Sequence, residues 1–176
     1  MPGLMTPKFR IAIGAFLSVL LLDLATKIAI DSHLSYSDRI PVIPGFFYLT
    51  HVRNTGAAFG LFSDAPQVYR LIFFISVSLI AVGIIIGFYQ KLSPGDRLAA
   101  LALGLILGGA IGNLIDRIFR QEVIDFLHFR LWRGYSWPDF NVADSAIVVG
   151  VGLLVLELLA SEGEQRGSAR DGESSS

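Results

Sequence analysis

Residues 71–89, LIFFISVSLIAVGIIIGFY, contain no charged side chain. A helix that is apolar all round must be buried on every side, in protein or in lipid. Three other stretches approach the same character. Residues 11–30 are apolar apart from Asp23, Thr26 and Lys27, residues 98–118 are apolar as far as Asn113, and residues 142–160 are apolar between Asp144 and Glu157. Each is near the roughly 20 residues a helix needs to cross ~30 Å of hydrocarbon. With 53% hydrophobic and 16% charged residues and a mean hydropathy of +0.60, a chain of 176 residues has more apolar surface than one soluble core could hide. The expected fold is an all-α membrane protein with four transmembrane helices, organised as one domain over residues 1–160. The hydrophilic end, residues 161–176, cannot bury enough surface to fold by itself and is expected to be a disordered tail. Lys8 and Arg10 before the first apolar run would also suit a secretory signal peptide. Asp23 and Lys27 stand where its cleavage site should be, however, and three more spans follow.

Composition narrows the function. A formal net charge of -1 shows no basic surplus, so no nucleic-acid partner is expected. The absence of cysteine removes disulfides and thiol chemistry, and three scattered histidines without an HExxH leave little for a metal. Neither metal nor cofactor is expected. QKLSPGDR, residues 90–97, reads as a tight turn through Pro94 and Gly95. The longer connection over residues 31–70 carries a loosely alternating, β-leaning run at 46–53 that ends in an Asn54-Thr55-Gly56 turn.

Threading four helices in alternation brings the long connections to one side. Asp23, Lys27, Asn113, Asp116, Arg117, Asp125, Asn141 and Asp144 then gather at one membrane face, and the other receives the termini and the short turn. Polar groups at a lipid boundary are costly unless paired or functional. Each also has an ordinary reading. Asp23 and Lys27 are spaced to neutralise each other within a helix. Asp116 and Arg117 could anchor a helix end at the interface, and the preceding GGAIGN could serve close helix packing. Asn141 and Asp144 have capping-box spacing, and Asp125 alone would be a loop charge.

Serine chemistry finds Ser145 beside Asp144 and His128 in the same connection, but no GxSxG. Two facing aspartates offer another route. Like charges a few ångström apart cannot both ionise, so one keeps a proton while the other acts as base on water. Such a pair can hydrolyse an amide without a cofactor. The stretch VIDFLHFRLWRGYSWPDFNVAD, residues 123–144, carries Asp125 and Asp144 near its two ends.

Five ordered blocks now become recognisable: DLATK at 23–27, RNTGAAFG at 53–60, GGAIGNLIDR at 108–117, VIDF at 123–126 and WPDFNVAD at 137–144. Together they resemble the lipoprotein signal peptidase family (signal peptidase II), bacterial aspartic peptidases of the inner membrane. The resemblance implies that Asp125 and Asp144 are the catalytic dyad. It implies that Asn54, Gly56, Asn113, Asp116, Arg117 and Asn141 bind or orient substrate and dyad, with Asp23 and Lys27 in supporting roles. It further implies a small extracytoplasmic β-cradle near residues 46–53. The substrates would be prolipoproteins whose cysteine already carries diacylglycerol, cut on the N-terminal side of that cysteine. The expected partners are these substrates and membrane lipid, and the expected state is a monomer in the bacterial inner membrane with both termini cytoplasmic. The family often has Gln directly after the first aspartate, where this chain has Leu24.

Two other classes compete. A transporter would also place ionisable groups in its spans, but distributed over the bilayer depth; a non-catalytic helix- or lipid-binding protein could use the GGAIG face. Basic residues divide almost evenly between the two sides, although the short segments carry them more densely, which leans towards both termini inside.

Overall fold

The computed structural model describes residues 6–56 and 65–174. Residues 57–60 of the RNTGAAFG block lie outside them. The described residues form four long helices and a three-stranded sheet, with one short 3₁₀ turn. Helix α1 is Pro7–His33, α2 is Gln67–Lys91, α3 is Arg97–Phe119 and α4 is Val142–Ser174; strands β1, β2 and β3 are Arg39–Ile43, Phe47–Asn54 and Val123–Phe129. All four helices contain a window long and apolar enough to cross a membrane, with mean hydropathies of 2.0, 2.8, 2.1 and 2.2; in α4 that window lies within Val142–Ala160. The chain is thus a multi-pass membrane protein of the all-α class, with the expected spans extended by a few residues at their ends. Pro7 occupies the first turn of α1, where its missing N–H costs nothing.

Burial is uneven. In α3 61% of the spanning window is buried, against 17%, 6% and 11% in α1, α2 and α4. Helix α3 is the hub, packed between α1 and α4 and also against α2. Its glycines permit this. A Cβ on Gly108 would stand 2.8 Å from the Phe16 carbonyl oxygen of α1, and one on Gly109 would run into the Ala143 carbonyl of α4. The small residues of GGAIGN therefore serve close helix approach, in lipid the main source of helix–helix attraction.

Strands β1, β2 and β3 pair antiparallel in that order. Sequence reading found β2 but neither β1 nor β3. Ile124 and Phe126 of β3 bury against Ile30 at the end of α1, with Leu34, Leu49, Leu127 and Val142 around them. In β2 the alternation breaks: Leu49 pairs with Leu127, and the next registered pair is Val52 with Asp125. One extra residue bulges out, so Thr50 and His51 are both buried in succession. The bulge leaves Val52, and with it Asn54, on the face of the sheet that Asp125 shares.

Helix α4 continues past Ala160 to Ser174.

Candidate active site

The two ends of residues 123–144 meet because the chain doubles back along β3. After a single 3₁₀ turn at Trp132–Gly134, where Gly134 takes φ +80°, the return segment pairs with the free edge of β3. The Phe140 carbonyl accepts the N–H groups of Phe126 and Leu127 at 3.0 and 2.8 Å, and Phe140 N–H donates to Leu127 O at 3.1 Å. Asn141 and the first turn of α4 are thereby delivered beside Asp125.

Asn141, fully buried, ties the two acids together. Its Oδ1 accepts the Asp144 N–H at 2.9 Å while its own N–H donates to Asp144 Oδ2 at 3.2 Å. This is a complete capping box, with Asp144 also favoured by the α4 N-terminus. Its Nδ2 donates to Asp125 Oδ1 at 2.7 Å and lies 3.2 Å from Asn113 Oδ1. Asn113 completes the bridge, its Nδ2 donating to Asp144 Oδ1 at 2.8 Å. On the sheet side Asn54 Nδ2 donates to Asp125 Oδ2 at 2.9 Å, and Asn54 Oδ1 accepts Gly56 N–H at 2.8 Å. Gly56 sits at φ +91°, and a Cβ there would run into the Phe74 ring. Four segments thus converge on the two carboxylates through three asparagine side chains.

Behind this layer lies a buried charge cluster. Lys27, fully buried, places Nζ 2.8 Å from Asp23 Oδ2, 2.9 Å from Asp116 Oδ2 and 2.8 Å from Asn113 Oδ1. The ammonium thus pairs with both carboxylates and donates a hydrogen bond to Asn113. Asp23 Oδ1 accepts the Ala143 N–H at 2.9 Å, so a side chain of α1 satisfies a free amide in the first turn of α4. Asp116 also pairs with Arg120 and faces Ile124 N–H. The cluster therefore ties α1, α3, β3 and α4 together. The reading of Asp23 and Lys27 as a self-contained pair is too small, and Asp116, at 0% exposure, is no interfacial anchor. Asp116 reaches the carboxylates indirectly, through Lys27 and Asn113 and through the Ile124 N–H beside Asp125. Arg117 donates to Asn113 O at 3.3 Å and stands over the Phe74 ring at 5.3 Å.

Asp125 is 2% exposed, and Asp144 is half-buried. Burial, with the Asp144 charge adding to it, pushes the Asp125 carboxyl from the ordinary 3.8 up to about 7; the hydrogen bonds from Asn54 and Asn141 pull the other way. A carboxyl that keeps its proton up to about pH 7 beside a second carboxyl group lets such a pair supply an acid and a base together. The serine alternative lacks its geometry: Ser145 Oγ donates to the Asn141 carbonyl at 2.9 Å, and His128 Nδ1 faces Asp139 at 3.2 Å. Among the described residues, no group of three or more His, Asp or Glu side chains is placed to hold a metal ion.

Sequence reasoning missed three contacts that shape the site. Arg53 bridges Glu122 at 2.8 Å and Asp31 at 3.0 Å, fastening β2 to the end of α1. Phe74 packs where Gly56 and Arg117 approach, and Asp139 receives Thr50 and His128. None has a local sequence signature, since each joins residues distant along the chain.

Fold and site define a polytopic membrane protein whose buried polar cluster supports a carboxylate pair. The family model described as Signal peptidase (SPase) II matches residues 15–160. The chain therefore belongs to the signal peptidase II family, whose members are aspartic peptidases. It is 50% identical over 158 residues to the lipoprotein signal peptidase of Geobacter sulfurreducens, covering 90% of this chain and 97% of that protein. It is 48% identical over 161 residues to that of Geobacter metallireducens, covering 92% and 98%. A solved structure described as a bacterial membrane enzyme, determined by the in meso method at 1.9 Å resolution, superimposes with a TM-score of 0.75 at 34% identity, covering 84% of this chain and 92% of that one.

Proposed function

We propose that this peptidase removes signal peptides from diacylglyceryl-modified prolipoproteins, and that Asp125 and Asp144 are its catalytic dyad. The observation that carries the reading is the single asparagine, Asn141, hydrogen-bonded to both carboxylates, with Asn54 and Asn113 holding their remaining oxygens. In this reading the pair holds one proton. The ionised member takes a proton from water as that water attacks the scissile carbonyl. The protonated member hydrogen-bonds the carbonyl oxygen and then assists the amine to leave. Asn54, Asn113 and Asn141 keep both carboxyl groups oriented, Lys27 with Asp23 and Asp116 holds Asn113, and Arg117 and Gly56 shape the wall towards α2.

The bond cut lies on the N-terminal side of the lipidated cysteine. Burying each acyl CH₂ is worth ~0.8 kcal/mol, which favours cleavage where the lipid already sits over lifting it into water. The polar cluster occupies one end of the spans, supporting an active site at the extracytoplasmic face of a bacterial inner membrane, with both termini cytoplasmic and a monomeric chain. The charge-free stretch of α2 over residues 71–89 and the one-sided cluster weigh against a transporter.

The test is cleavage of a lipidated prolipoprotein by the purified chain in detergent. D125N and D144N should stay folded and lose about 10²–10⁴-fold in turnover. Full activity in either variant excludes the dyad.

A further inference from the structure

On the side of the sheet away from the dyad, one carboxylate gathers two strands. Thr50 Oγ1 of β2 donates to Asp139 Oδ1 at 2.6 Å, and His128 Nδ1 of β3 lies 3.2 Å from the same oxygen. Arg39 Nη2 of β1 stands 3.4 Å from His128 Nε2. A guanidinium only donates, so Nε2 accepts, the ring proton sits on Nδ1, and that proton points to Asp139. Thr50 and His128 are 3% and 5% exposed. Tyr48 stands edge-on to His128 at 6.0 Å, and Arg39 lies over the Tyr48 ring at 5.3 Å.

The three joined segments are those that deliver the groups around Asp125. Beyond Thr50 on β2 comes Asn54, before His128 on β3 comes Asp125, and after Asp139 on the return segment comes Asn141. Thr50 also belongs to the bulge that separates the Leu49–Leu127 and Val52–Asp125 pairs. A slip of one residue there would turn Asn54 to the opposite face of the sheet and release Asp125 Oδ2.

We infer that Asp139 is a positioning residue: with Thr50 and His128 it clamps the register of β2, β3 and the return segment, and so sets how Asn54 and Asn141 hold Asp125. The inference rests on the dyad reading above. Thr50, His128 and Asp139 themselves are not among the hydrogen-bond partners of Asp125 or Asp144 among the described residues.

The experiment compares D139A, T50V and D139N with the unmodified full-length enzyme in detergent, measuring kcat, KM, the pH profile of kcat/KM and the melting temperature. D139A and T50V should lower kcat on the order of tenfold through misplacement of the reacting groups, with KM held within about twofold. Their alkaline limb should move to higher pH, because looser Asn54 and Asn141 hydrogen bonds no longer favour ionised Asp125. D139N keeps the acceptor oxygen and should recover most of kcat. Unchanged kcat and pH profile in both D139A and T50V would overturn the clamp. So would a loss of kcat accompanied by a lower melting temperature and an unmoved pH profile, which marks structural support alone. D125N in the same assay separates the two layers: wild-type turnover there removes the dyad, whereas an inactive D125N beside an unaffected D139A removes only the clamp.

Discussion

Asn141 grips Asp125 through its side chain, Nδ2 to Oδ1 at 2.7 Å, while its main-chain N–H is held by Asp144 at 3.2 Å. One residue thereby sets the separation of two acids that belong to different elements, and the same contacts cap α4. Structural support and chemistry coincide at this position.

N141A should therefore lose both. Removing the cap costs about 1 kcal/mol of stability, and freeing Asp125 and Asp144 should lower kcat by about 10²-fold. Initial rates and thermal scans of the same preparation check this, and a larger loss in rate than the cap can explain is the expected signature.

Lys27 is ion-paired with two fully buried carboxylates, Asp23 and Asp116. K27M leaves Asp23 without its cation and Asp116 with Arg120 alone, and should destabilise by about 3–5 kcal/mol. The triple variant D23N/K27M/D116N removes the charges together and should recover much of that loss, because the penalty lies in unpaired buried charge. D116N alone leaves the Lys27–Asp23 pair and should lose activity partially, through Asn113. Melting temperatures in detergent distinguish the three.

Stability should fall with rising pH across the Asp125 titration. The folded carboxyl binds its proton up to about 7, whereas an ordinary one releases it near 3.8. Between those values the folded state holds more protons than the unfolded state, so unfolding becomes easier as pH rises, and the effect levels off above about 7. D125N cannot ionise there and should gain roughly 2–4 kcal/mol on the native enzyme at pH 8, with little difference near pH 4. Denaturation midpoints at the two pH values read this directly. In activity, the coupled pair should give an alkaline decline with an apparent pKa near 7.

Gly56 combines a left-handed φ of +91° with the Phe74 ring lying where a Cβ would go. G56A should cost about 1–2 kcal/mol for the backbone conformation alone, besides displacing Phe74 or the Asn54 turn. F74A in the same chain should relieve the collision and leave the backbone strain, so a double-mutant cycle in melting temperature separates them.

The spans were legible because lipid imposes a length and a composition on each segment independently. Even the interruptions could be read, since Asp23, Lys27 and Asn113 stand out in hydrocarbon. The sheet was not. Strand β1 is exposed along its whole length and β3 is almost wholly buried, so neither alternates as a half-buried strand should. In β2 the bulge at Thr50 and His51 breaks the pattern that would have placed it more firmly.

From sequence alone came the membrane class, the four spans, the crowding of polar residues at one end and the family resemblance, all properties of short segments or of their order. Tertiary structure decided which of those groups touch. Lys27 reaches Asn113 across 86 positions, and Asp23 caps Ala143 across 120. Such contacts depend on how closely α3 lets α1 and α4 approach and on the doubling back of the chain along β3. Transfer into lipid is a local free energy that each segment carries with it; the meeting of Asp125 with Asn141 exists only once distant segments have packed.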